Sequence, residues 1–131
     1  MRRLLETDVV IAAIRGRPPD VRKRLRALSP DDVAVSAITV AELWYGAERS
    51  TDPERTRTLF EEYLEPFEVY PFDRGAAKHH GHLRHRLRRQ PIGERDLLIA
   101  SIAVAGRLTI ATGNVREFRR VPGVKVEGWE C

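Results

Sequence analysis

The chain has 131 residues, 23 basic and 19 acidic side chains, a net charge of +4 and one cysteine, Cys131. That length suits a single domain over residues 1–131 with a real core. One thiol excludes a disulfide framework, and no apolar run approaches the ~20 residues of a membrane span.

All but three of the basic residues are arginine. The planar guanidinium forks onto phosphate oxygens, which fits a nucleic-acid partner. The opening "MRRLLETDVV" lacks a clean apolar segment and a small-residue cleavage site. No signal peptide is expected, and a reducing cytosol is the simplest home.

In chain order, "RRLL" reads as a short buried strand and "VVIAAIRG" as a helix closed by Gly16. "RPPDVRKRLRALSPDD" places Val21, Leu25 and Leu28 at helical spacing, so an amphipathic helix is expected. "VAVSAI" is short and β-branched, a second strand. "TVAELWYGAERS" follows as a helix with Thr39 as N-cap and Val40, Leu43, Trp44 and Ala47 on one face. Asp52 caps the next helix, "DPERTRTLFEEYLEPF", with Pro53 at its first position. "EVYPF" is a third strand interrupted by Pro71, and "DRGAAKHHGHLRHRLRRQ" is a basic helix. "ERDLLIASIAVAGR" is apolar on nearly every side, hence a buried helix ending at Gly106. "LTIAT" is a central strand, "GNVREFRRVPG" a turn with a helical turn, and "VKVEGW" a last strand. Strands alternate with helices throughout, so a parallel sheet covered on both faces is predicted: an α/β fold in three layers, α/β/α.

Open parallel sheets build their sites at the carboxyl ends of strands. Glu6 and Asp8 follow the first strand. Thr112, Gly113 and Asn114 follow "LTIA", with Glu117 just beyond. Glu42 lies on the helix after "VAVS", off its apolar face and below the bare Gly46. Asp96 stands in or before the first turn of the buried helix. Taken alone, Glu42 reads as a solvated glutamate. Asp96 alone reads as a cap favoured by the helix dipole, with Glu94 a weaker competitor. Together the four acids say more. Clustered carboxylates repel unless a cation neutralises them. Hard oxygen ligands suit Mg²⁺ or Mn²⁺, ions that activate water and stabilise phosphate in displacement. Spacing alone does not make residues 6, 42, 96 and 117 converge.

"LLETDVVIAAI", "VSAITVAELWYGAERS" and "PIGERDLLIASIAVAGRLTIATGNVREFRRVPGVKVEGW" together resemble the PIN domain of VapC-type toxins over almost the whole chain. The resemblance implies the PIN fold and a metal-dependent endoribonuclease, the toxin of a type II toxin–antitoxin pair. It implies cleavage of RNA, often tRNA or ribosomal RNA. It also implies a homodimer and a VapB-type antitoxin whose C-terminal segment lies over the site. Carried over by position, Glu6, Glu42, Asp96 and Glu117 hold Mg²⁺, with Mn²⁺ able to substitute. Asn114, with Thr112, matches the polar turn beside the catalytic acids, and Asp8 matches a polar position. One residue departs from the motif. The family has Asp-Thr-Asn/Asp/Ser where this chain reads Glu6-Thr7-Asp8. The first carboxylate therefore moves out by one C–C bond, about 1.5 Å, which predicts altered metal geometry and reduced activity. The alternative is a catalytically impaired PIN protein that binds RNA or antitoxin without cutting.

Other signals carry less. His79, His82 and His85 recur every third residue, but their strongly basic segment favours solvated or RNA-facing imidazoles over a zinc site. Arg84, Arg86, Arg88 and Arg89 suit an RNA path, a solvated face or an antitoxin contact. Trp129 is expected to close the core, and no role follows for Cys131. An aspartyl-phosphate phosphatase would need a nucleophile at residue 6, a place Glu6 fills badly.

Overall fold

The computed structural model describes residues 2–131. Five strands form one all-parallel sheet: β1 (Arg3–Leu5), β2 (Val33–Ser36), β3 (Glu68–Tyr70), β4 (Thr109–Thr112) and β5 (Lys125–Gly128). Their order is β3-β2-β1-β4-β5. Seven helices connect them: α1 (Thr7–Arg15), α2 (Pro19–Arg26), α3 (Ala37–Glu48), α4 (Pro53–Leu64), α5 (Arg74–Arg86), α6 (Glu94–Gly106) and α7 (Val115–Phe118).

Side chains alternate across a strand, and both faces of this sheet are apolar. Leu4, Ala34 and Ile110 point into one core with Leu83, Ile99, Ile102 and Phe118. Leu5, Val33, Val35 and Ala111 point into the other with Val9, Val10, Leu25 and Leu43. The three-layer α/β/α arrangement follows. The chain runs outward from β1 to β3, then jumps back across β1 to place β4. The carboxyl ends of β1 and β4 are therefore the point where strand order reverses, the place where open parallel sheets build their sites.

Several boundaries differ from the sequence reading. Thr39 does not cap α3. The chain turns directly from β2 into the helix, and the Ser36 hydroxyl caps it by accepting the Thr39 N–H at 3.0 Å. The second predicted helix stops at Arg26. A separate 3₁₀ turn, Pro30–Asp32, follows with its own Ser29–Asp32 capping box. Gly16 closes α1 in the left-handed conformation, as expected. Trp129 is 1% exposed; its Nε1 donates to Glu127, and the Arg24 guanidinium lies 4.6 Å above its ring.

Gly106 does end α6, yet the left-handed residue is its neighbour, Arg107, at φ 56°. The glycine serves packing instead: a Cβ there would sit 3.1 Å from Tyr70 and 3.2 Å from Leu108. Arginine in this conformation is strained. Arg107→Gly is expected to stabilise the fold by about 0.5–1 kcal/mol net of glycine's larger unfolded entropy. A urea melt with an unchanged midpoint would count against that.

Candidate active site

Glu6 ends β1 and begins α1. Its backbone is extended at φ −74° and ψ 158°, and its side chain turns back to accept the Asp8 N–H at 3.2 Å. Glu6 is thus the N-cap of α1, a place where Asp, Asn, Ser and Thr serve better. Its second oxygen accepts the Thr112 hydroxyl at 2.8 Å, which ties the ends of β1 and β4 together. The residue is 8% exposed. Burial, then the Asp8 charge, pushes its carboxyl up to about 7.

Asp96 lies in the first turn of α6, half-buried. Burial pushes it up to about 8, helped by a hydrogen bond with Glu117 and by the charges of Glu117, Glu6 and Glu42. The charges of Glu6, Glu42 and Glu117 are all felt at Asp96. Glu117 is held low mainly by that same hydrogen bond. Asn114 Nδ2 donates to Glu117 at 3.1 Å, and the Gly93 N–H reaches its other oxygen at 3.4 Å. Glu42 is no free surface glutamate. The Thr7 hydroxyl donates to it at 2.6 Å, and Arg95 Nε stands 3.8 Å from its other oxygen. Glu94 is exposed, as its weaker standing anticipated.

The sequence reading placed Thr112 beside the acids but missed the other hydroxyls. Thr7, Thr39 and Ser36, like Thr112, are buried and hydrogen-bonded around the acids. Only the Thr-Asp pair beside Glu6 and the Thr-Gly-Asn turn hinted at them. It also missed Cys131. Asp8 Oδ2 accepts from the Gly113 N–H at 3.1 Å and from the Cys131 thiol at 3.3 Å. Gly113 leaves room for this approach: a Cβ would lie 2.7 Å from Cys131 Sγ and 2.8 Å from Asp8, so both side chains would have to shift.

The donor set is wholly oxygen and its charge is in excess. The nearby cation that meets it, Arg95, is 68% exposed. These features fit a hard divalent cation. Among the described residues, no three acidic, histidine or cysteine side chains close around one point as they stand. The acids instead hydrogen-bond to each other and to their neighbours, so gathering on an ion requires their side chains to rotate.

The PIN domain family model matches residues 3–124. The tRNA(fMet)-specific endonuclease VapC of Salmonella typhimurium is 38% identical over 128 residues, 96% of each chain. The chain belongs to the PIN-domain family of VapC-type ribonucleases. Ribonuclease VapC2 of Haemophilus influenzae is similarly related, 36% identical over 98% of both chains. The crystal structure of VapBC2 from Rickettsia felis, bound to a DNA fragment from its promoter, contains a PIN domain of the same shape. The two superpose with a TM-score of 0.90 at 33% identity, covering 98% of this chain and 99% of that one. PIN nucleases as a class depend on a divalent metal ion. No helix of the described residues is long and apolar enough to cross a membrane.

The raised carboxyls set a pH dependence. At low pH both the folded and the unfolded chain carry these protons. Above the ordinary carboxylate range the unfolded chain has released them, while folded Glu6 and Asp96 hold theirs up to about 7 and about 8. Stability of the metal-free PIN domain therefore falls as pH rises from about 5 to 8. The expected result is a lower Tm at pH 8 than at pH 5.5, with Mn²⁺ restoring it at pH 8 because metal competes with protons for the acids. A Tm that climbs over that interval without metal would contradict this.

Proposed function

We propose that this chain is a single PIN domain over residues 1–131 that cleaves RNA endonucleolytically, with tRNA its first candidate substrate. Glu6, Glu42, Asp96 and Glu117 would hold a Mg²⁺ ion, or Mn²⁺ in its place. The observation that supports it is the pairing of β1 and β4 at the switch point of the sheet, with Glu6 bonded to Thr112 across their ends and Asn114 bonded to Glu117 just beyond. A divalent ion held there supplies activation of water and neutralisation of phosphate charge. The chain's own residues do the rest. Asp96 gives up its proton before it can ligate, Asn114 fixes Glu117, and exposed Arg95 is free to turn from Glu42 toward a phosphate. Arg84, Arg86, Arg88 and Arg89 extend the basic surface along which RNA would lie.

Partners follow from the same reading. A groove of about 320 Å³ between α1, α3 and α4 is floored by Ile11, Ile14, Leu43, Leu59 and Phe60, with Arg15 and Glu42 at its sides. It suits the C-terminal segment of a VapB-type antitoxin laid over the acids. A homodimer and a cytoplasmic location complete the proposal.

The test is incubation of a total tRNA pool with the protein and Mg²⁺ or Mn²⁺, against EDTA. Discrete fragments that require the metal are expected. Cutting that persists in EDTA would overturn the metal reading. A second reading, a PIN protein that binds without cutting, draws on Glu6. It gains if RNA is retained and stays intact.

A further inference from the structure

Glu42 is the acid with the least obvious reason to point inward, since α3 offers it open space beside Gly46. Its orientation comes from a line of buried hydroxyls. Ser36 and Thr39 are 0% exposed, and Thr7 is buried beneath them. Ser36 Oγ lies 3.3 Å from Thr39 Oγ1, Thr39 Oγ1 3.0 Å from Thr7 Oγ1, and Thr7 Oγ1 2.6 Å from Glu42 Oε1. Each hydroxyl has one proton to give, and the Glu42 oxygen accepts from Thr7. That obliges Thr39 to donate to Thr7 and Ser36 to donate to Thr39. One acceptor at the end of the line sets every proton in it, and each bond polarises the next toward Glu42.

We propose that Ser36, Thr39 and Thr7 form a one-way hydroxyl relay that fixes the direction of the Glu42 carboxylate, ready to ligate a divalent cation. The three are positioning residues. The relay joins three elements: Ser36 from the end of β2, Thr39 from the first turn of α3, and Thr7 from the first turn of α1. The Ser36 oxygen also caps α3, so the start of the helix and the direction of its acid are set by the same atom. The oxygen at the head of the line needs no donor other than the Thr39 N–H. The inference rests on the metal-binding reading above.

Partners of this kind typically alter metal affinity ten- to a hundredfold when removed. The experiment is a Mn²⁺ titration of the metal-free protein, read by electron paramagnetic resonance of free Mn²⁺. It is run on the native chain and on Thr7→Val, Thr7→Ser and Thr39→Val, and repeated in a Glu6→Asp background. Circular dichroism melts accompany each variant. Thr7→Val keeps the shape and loses the hydroxyl, and is expected to weaken Mn²⁺ binding about tenfold. Thr7→Ser is expected to remain within about twofold of the parent, because it retains the donor. Thr39→Val leaves Thr7 in place and removes its donor, so a smaller loss is expected. Should Thr7→Val fail to fold, Thr39→Val carries the test. Equal Mn²⁺ affinity in the parent and both valine variants would overturn the relay and leave the metal reading standing. So would a serine variant as weak as the valine one. Absence of Mn²⁺ binding in both the native and Glu6→Asp backgrounds would overturn the metal reading and the relay together.

Discussion

Asp96→Asn is expected to abolish RNA cleavage and at the same time to raise the Tm of the metal-free protein. Both effects have one cause. Asp96 sits where burial, its hydrogen bond with Glu117 and three neighbouring carboxylates oppose its charge and push its carboxyl up to about 8. Asparagine is a permanently neutral side chain of the same shape. It keeps the contact to Glu117 and removes the penalty of ionising. A gain of about 1–2 kcal/mol is expected after allowing for partial exposure of the site, or a few degrees in Tm for a domain of this size. A ligand that cannot ionise gives up much of the charge stabilisation a metal supplies at phosphate, several kcal/mol. At about 1.4 kcal/mol per tenfold, cleavage should fall roughly a hundred- to a thousandfold. A stability assay and a cleavage assay on the same preparation decide it. An inactive variant that is also less stable would mean Asp96 serves the fold, not the metal.

Glu6→Asp is expected to raise metal-dependent cleavage about a hundredfold, the scale set by a ~1 Å correction in the placement of a reacting group. In the structure the longer side chain is spent on internal contacts. One oxygen caps α1 and the other receives Thr112. Aspartate caps a helix with its shorter arm and draws the carboxylate back toward β1. The comparison is single-turnover cleavage of tRNA by the two proteins, with Mn²⁺ affinity alongside. Equal rates would show that glutamate serves at this position as well as aspartate, and the departure from the family motif would carry no functional meaning.

Much of the fold was legible. Short apolar strands alternating with amphipathic helices predicted a covered parallel sheet, and Leu4 and Leu5 on opposite faces of β1 bear it out. The errors were local. Thr39 read as a cap because it precedes the periodic residues of α3, while Ser36 looked like part of a strand. One residue can be both a strand end and a cap when no loop intervenes. Gly106 read as the end of α6 and is; what the sequence did not show is that close packing on Tyr70 uses the glycine while the left-handed turn falls on Arg107.

Residue types alone determined that the chain carries four acids near predicted strand or helix ends on a basic, arginine-rich polypeptide. That follows from periodicity and charge, which are local properties. Only the tertiary structure decided which residues stand beside these acids. The ends of β1 and β4 lie side by side because strand order reverses between them, a consequence of how the whole chain winds. The hydroxyls depend on that winding still more. A buried threonine in sequence is an ordinary core residue. It becomes a donor to a carboxylate only when another segment, 32 to 35 positions away, is folded against it.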